Sequence, residues 1–125
     1  LEVLLDTSFL LLIFESGRNL IALIEDRLGE SVSPIVIEQV VQELKRLSRR
    51  QDSTGRLADI ALKYAQGFPI IRAGEWDEAD EALIRVAKER RVPLVTADWR
   101  LMREARSRGC GCIYVNRRLE IRVMV

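Results

Sequence analysis

Short aliphatic runs alternate with longer segments of helical period along almost the whole of this chain, and that alternation limits the fold more than any other feature. Leu1-Glu2-Val3-Leu4-Leu5 and Val92-Pro93-Leu94-Val95-Thr96-Ala97 are too short for buried helices and apolar enough for buried strands. The pattern predicts a strand at 2–5 and a helix near 8–14 broken by Gly17. A second helix runs from Asn19 to about Leu28, where Gly29 ends it. Ser33 followed by Pro34 has the form of an N-cap and a first-turn proline, which predicts a helix over 34–48. The polar stretch Arg49 to Gly55 reads as a loop, 56–66 as a helix and Phe68 to Arg72 as a short strand. Then follow a helix over 77–90, a strand at 93–97, a helix from Asp98 to Ser107 stopped by Gly109, a strand at Ile113 to Val115 and a last short strand near 119–124. This order is expected of an α/β fold, a three-layer α/β/α sandwich with a mainly parallel central sheet, in a single domain spanning 1–125.

At 125 residues, with 48% hydrophobic and 31% charged side chains, the chain can bury a sizeable core. No apolar run approaches bilayer length and the leading segment lacks the marks of a signal peptide, so a soluble, cytoplasmic protein is the expectation. Cys110 and Cys112 form one C-x-C pair in a chain without histidine, which argues against a structural zinc site and for buried thiols.

Four acids stand where the local pattern does not ask for them. Asp6 closes the first apolar run and Asp98 closes the run at 92–97. In a parallel α/β sheet the carboxyl ends of the strands line one crevice, so both carboxylates are expected there. Glu43 lies on the periodic segment Ile35 to Leu47, and Asp80 near the start of the segment Asp77 to Arg90. Carboxylate and water oxygens are the ligands that Mg²⁺ and Mn²⁺ prefer, and clustered carboxylates repel one another without a cation. Each acid also has an ordinary reading. Glu43 can pair with Arg46, Asp80 suits the first turn of a helix, and Asp6 and Asp98 suit N-caps.

The net charge of +1 conceals a segregation. Residues 1–44 carry two basic and eight acidic side chains and 73–98 carry four and seven, whereas 45–72 and 99–125 carry seven basic and two acidic each. Arginine dominates the basic blocks and suits phosphate, so Arg46, Arg49, Arg100 and Arg103 are candidate contacts for a polyanion crossing an acidic metal site. Arg100, Arg103 and Arg106 are spaced to share one helical face, which as an ordinary solvated face would need no ligand. Trp76 and Trp99 read as packing or rim residues, with base stacking by Trp99 the sharper alternative.

Taken in order, Leu-Leu-Asp6-Thr-Ser-Phe-Leu-Leu, Val-Val-Gln-Glu43-Leu, Ala-Asp80-Glu-Ala-Leu-Ile-Arg-Val-Ala-Lys-Glu and Leu-Val-Thr96-Ala-Asp98-Trp-Arg-Leu resemble the PIN-domain nucleases over nearly the whole chain. The resemblance implies a divalent-metal-dependent ribonuclease using Mg²⁺ or Mn²⁺, with Asp6, Glu43, Asp80 and Asp98 as the catalytic, metal-holding quartet. It implies that Ser8 and Thr96 orient Asp6 and Asp98. Glu81 is the alternative to Asp80, and Asp77 is a candidate outer ligand. Within the family the chain looks similar to archaeal proteins related to ribosomal RNA processing factors. A VapC-type toxin with an antitoxin partner, and a PIN module that binds RNA without cutting it, are the alternatives. A homodimer joined through the apolar side of the helices between 19 and 66 is expected from the same resemblance.

Overall fold

The computed structural model of the chain describes every residue except 75–77. Twelve elements follow one another among the described residues: β1 (Glu2–Leu5), α1 (Thr7–Ser16), α2 (Leu20–Leu28), β2 (Ser33–Ile37), α3 (Glu38–Leu47), α4 (Ser53–Ala65), β3 (Ile70–Ile71), α5 (Ala79–Arg90), β4 (Leu94–Thr96), α6 (Trp99–Ser107), β5 (Cys112–Val115) and β6 (Ile121–Met124). They build one six-stranded sheet in the order β3-β2-β1-β4-β5-β6, flanked by helices. All neighbours pair in parallel except β5 and β6, which form an antiparallel hairpin at the edge. The expected mainly parallel α/β architecture is therefore what the chain adopts. Glu75, Trp76 and Asp77, with the expected start of a helix at 77, lie outside the described residues.

The centre of the sheet is apolar on both sides, as parallel strands covered by helices must be. Leu4, Leu5, Ile37, Leu94 and Ile113 from the strands are fully buried with Phe9, Leu10, Leu44, Leu83 and Ile84 from the helices. α1, α3 and α4 pack against one another, while α6 packs on β4 and β5. Left-handed glycines at Gly17 and Gly29 terminate α1 and α2, which meet at 107°. Among the described residues no single helix is long and apolar enough to cross a membrane. Cys110 and Cys112 are buried and free, and burial pushes the Cys112 thiol up to about 11.

The helix expected from Pro34 begins instead at Glu38, because 33–37 form β2. Pro34 pairs with Val3 in the register of β1 and β2. The amide of Ser33 donates towards β1, to Leu1 at 2.7 Å, and that of Val36 donates to the other side, to Pro69 at 3.1 Å. Pro34 would donate on the same side as Val36, but β3 pairs only with Val36 and Ile37. Its missing N–H therefore faces an unpaired stretch of edge and costs no ladder bond. The branched run Ile35-Val36-Ile37, buried throughout, then favours the strand. α4 likewise starts earlier than its expected position at 56. Asp52 caps it by accepting from the Gly55 amide at 3.1 Å, so the end of the expected loop, from Ser53 to Gly55, is helix.

Candidate functional site

β1 and β4 are neighbours in the sheet, yet the chain leaves β1 towards β2 on one side and leaves β4 towards β5 on the other. The divergence opens a crevice at the carboxyl ends of these two strands, the usual ligand position in this strand order. Asp6 and Asp98 stand there, one directly after β1 and the other two residues after β4.

Asp6 is held on every side. Its backbone amide bonds to Val95 at 3.1 Å, continuing the β1–β4 ladder. Its carboxylate caps α1, accepting the Phe9 amide at 2.9 Å. Ser8 Oγ lies 3.0 and 2.9 Å from the two carboxylate oxygens, and Thr96 Oγ1 donates to Oδ2 at 2.7 Å. The two hydroxyls also tie the loop after β4 to α1. Thr96 Oγ1 accepts the Asp98 amide at 2.9 Å and Ser8 Oγ accepts that of Ala97 at 3.0 Å. With only 3% of its surface exposed, Asp6 has lost most of the water that would stabilise its charge. Burial is accordingly the largest influence on the group, and the Asp98 charge adds to it. The bonds from Thr96, Phe9 and Ser8 oppose them, leaving the carboxyl raised to about 7.

Asp98 caps α6 through Oδ1 alone, which accepts the amides of Arg100 at 2.9 Å and Leu101 at 3.2 Å. Among the described residues its Oδ2 takes no hydrogen bond, so one oxygen remains available to a ligand. Asp80 projects from the first turn of α5. Partial burial raises its pKa first, and the charges of Asp98, Glu43, Glu78 and Glu81 raise it further. Glu43, half-buried on α3, forms no ion pair with Arg46 among the described residues.

The four predicted acids thus come from four separate places in the sequence and line one pocket of about 70 Å³, together with Thr7, Ser8, Ala79 and Leu83. Glu81 does not line it. Arg108 holds Glu81 through a guanidinium nitrogen at 2.9 and 3.0 Å from its two oxygens, in a neighbouring cleft. That arginine escaped sequence reasoning, since nothing local signals a partner 27 residues away. Arg100 lines the same neighbouring cleft beside Asp80 and Asp98. Arg46, Arg49 and Arg103 are exposed, outside the lining of either cavity, and none of these four arginines has an ion-pair partner among the described residues. Arg106, expected on the same face, instead donates to the carbonyls of Met124 at 3.1 Å and Cys110 at 3.4 Å.

The donors of the pocket fit a hard divalent cation. All are carboxylate or hydroxyl oxygens, and a buried carboxylate beside three others gains most from a positive charge. Among the described residues no three of the acids already form a closed cage, so an ion would have to draw the carboxylates closer together.

The family described as PIN-like domain matches residues 3–118. In three dimensions the chain is similar to the PIN domain endonuclease Utp24, with a TM-score of 0.78 at 23% identity over 98% of this chain and 90% of that one. It is also similar to a domain of a functionally unknown protein from Methanocaldococcus jannaschii, with a TM-score of 0.68 at 23% identity over 92% and 91%. No curated protein matches the sequence. With the family match running from β1 into the turn before β6, the chain belongs to the PIN-like domain family.

Proposed function

We propose that this chain is a divalent-metal-dependent ribonuclease that hydrolyses RNA phosphodiester bonds at the pocket lined by Asp6, Glu43, Asp80 and Asp98. The observation that carries the reading is the meeting of these four acids in one small polar pocket at the β1–β4 crevice. The family and the likeness to a PIN domain endonuclease support it. Asp6, Glu43, Asp80 and Asp98 would hold Mg²⁺ or Mn²⁺, which when bound supplies an electrophile for the phosphate and an activated water.

The chain's own residues account for the rest. Ser8 and Thr96 fix the plane of the Asp6 carboxylate, and the Thr96 bond to the Asp98 amide couples the two strand-end acids in one arrangement. The cap on α6 immobilises Asp98 by one oxygen and leaves the other free of hydrogen bonds among the described residues. Arg100, beside Asp80 and Asp98, is placed to neutralise a phosphate that an acidic pocket would otherwise repel.

The test is cleavage of labelled single-stranded and hairpin RNAs in Mn²⁺ or Mg²⁺ by wild type, Asp6→Asn and Asp98→Asn. Metal-dependent cutting that disappears in both variants is the expected result. Equal cutting by all three proteins, or none by wild type, would refute the assignment.

A further inference from the structure

Beyond the acid pocket, the register of the sheet lines up a second set of residues. Asp6 stands level with Thr96, Thr96 pairs with Tyr114, and Tyr114 pairs with Arg122 on the edge strand. Paired residues project from the same face, so these four side chains form one row across β1, β4, β5 and β6. At one strand spacing per step, Tyr114 lies roughly 10 Å from Asp6.

Trp99, the residue after Asp98, meets this row at Tyr114 from the first turn of α6. Its ring meets Tyr114 edge to face, with centroids 5.4 Å apart at 72°. Such a contact occupies at most one face of the indole, and Trp99 is 46% exposed. It is thus a large apolar side chain left open to solvent but held in orientation by a neighbouring ring. Arg103 lies one helical turn on, in the same stripe as Trp99. The next position in that stripe, Arg106, bonds to Met124 of β6, so the stripe runs beside the edge strand that carries Arg122. Among the described residues neither Arg103 nor Arg122 has a carboxylate partner. An open, oriented aromatic ring with two uncommitted arginines near it, on the residue next to Asp98 of the acidic pocket, matches the parts that bind unpaired bases and their phosphates.

We propose that Trp99, braced by Tyr114, is a base-stacking platform for single-stranded RNA, and that the strand leaves the acid pocket across β4, β5 and β6 with its phosphates on Arg103 and Arg122. The proposal rests on the ribonuclease reading and extends it. It makes Trp99 a positioning residue that selects an unpaired nucleotide beside the cleavage point.

The test is equilibrium binding of a fluorescein-labelled single-stranded RNA and of the same sequence as a blunt duplex, in EDTA so that binding is read without cutting. The proteins are wild type, Trp99→Leu, Trp99→Phe and Arg122→Gln. Trp99→Leu is expected to weaken single-strand binding about tenfold and to leave duplex binding unchanged, while Trp99→Phe keeps most of the affinity. Arg122→Gln should weaken binding and lower its salt dependence by about one phosphate contact. A single abasic position moved along the RNA should reproduce the loss at one place, and there Trp99→Leu should add nothing further. Unchanged single-strand binding by Trp99→Leu, equal losses on single strand and duplex, or no single-strand binding by wild type would each overturn the proposal. Metal-dependent cutting that depends on Asp6 would still stand in any of those cases, so the two readings fail separately.

Discussion

A buried carboxylate with a pKa near 7 destabilises the protein that carries it unless something neutralises it. For Asp6 the folded group is raised to about 7 from an ordinary 3.8. Below both values the group is protonated whether the chain is folded or not, and it imposes no penalty. Between them the unfolded chain gives up the proton while the folded chain keeps it. Stability from this group therefore falls as pH rises, by at most about 1.4 kcal/mol per pH unit, and levels off above pH 7. In metal-free solution the difference in melting temperature between Asp6→Asn and wild type should therefore grow in favour of the variant from pH 4 to pH 7 and then stay constant. A difference that is flat with pH would show that Asp6 ionises normally. Thr96 carries the opposite influence, since its hydroxyl stabilises the charged form of Asp6 and satisfies the Asp98 amide. Thr96→Val keeps the shape and removes both bonds. It should cost about 1–3 kcal/mol in urea denaturation and weaken Mn²⁺ binding by about 10- to 100-fold in calorimetric titration.

At the scale of elements, the same residues serve the fold and the site. Asp6 and Asp98 are N-caps as well as pocket acids, so their ordinary structural readings are correct and do not compete with the functional one. The two roles can be separated because asparagine caps a helix as well as aspartate. Asp98→Asn should melt within about 0.5 kcal/mol of wild type without metal and still lose the site. The start of α4 depends on a close approach of a different kind. A methyl group on Gly55 would run into the backbone carbonyl of Arg50. Gly55→Ala should therefore cost about 1–3 kcal/mol in urea denaturation, despite alanine's better helix propensity. A neutral result would mean that the turn between α3 and α4 yields freely.

Across the whole molecule, the pocket sets negative charge from β1, α3, α5 and the end of β4 against itself, and a cation relieves all of it at once. Mn²⁺ at about 100 times its dissociation constant should raise stability by about 2.7 kcal/mol, an effect read as a metal-dependent rise in melting temperature. Asp6→Asn and Asp98→Asn should each abolish most of that rise. The chain alone determined the alternation of strand and helix, because short aliphatic runs and helical periods are local properties of sequence. It also marked Asp6 and Asp98, since an aspartate closing a buried strand is visible without knowing its partners. It misplaced Ser33 to Ile37, because Ser-Pro looks the same before a helix as at the open edge of a ladder. Only the adjacency of β2, β1 and β3 shows that Pro34 has no bond to lose. Between Asp80 and Glu81 the sequence left the choice open. The fold puts Asp80 in the pocket and ties Glu81 to Arg108, a contact made when β3–α5–β4 and β4–α6–β5 bring distant helices together. Strand order decided the remainder, because side chains 18 to 92 residues apart share a pocket only where the chain's course diverges between the parallel neighbours β1 and β4.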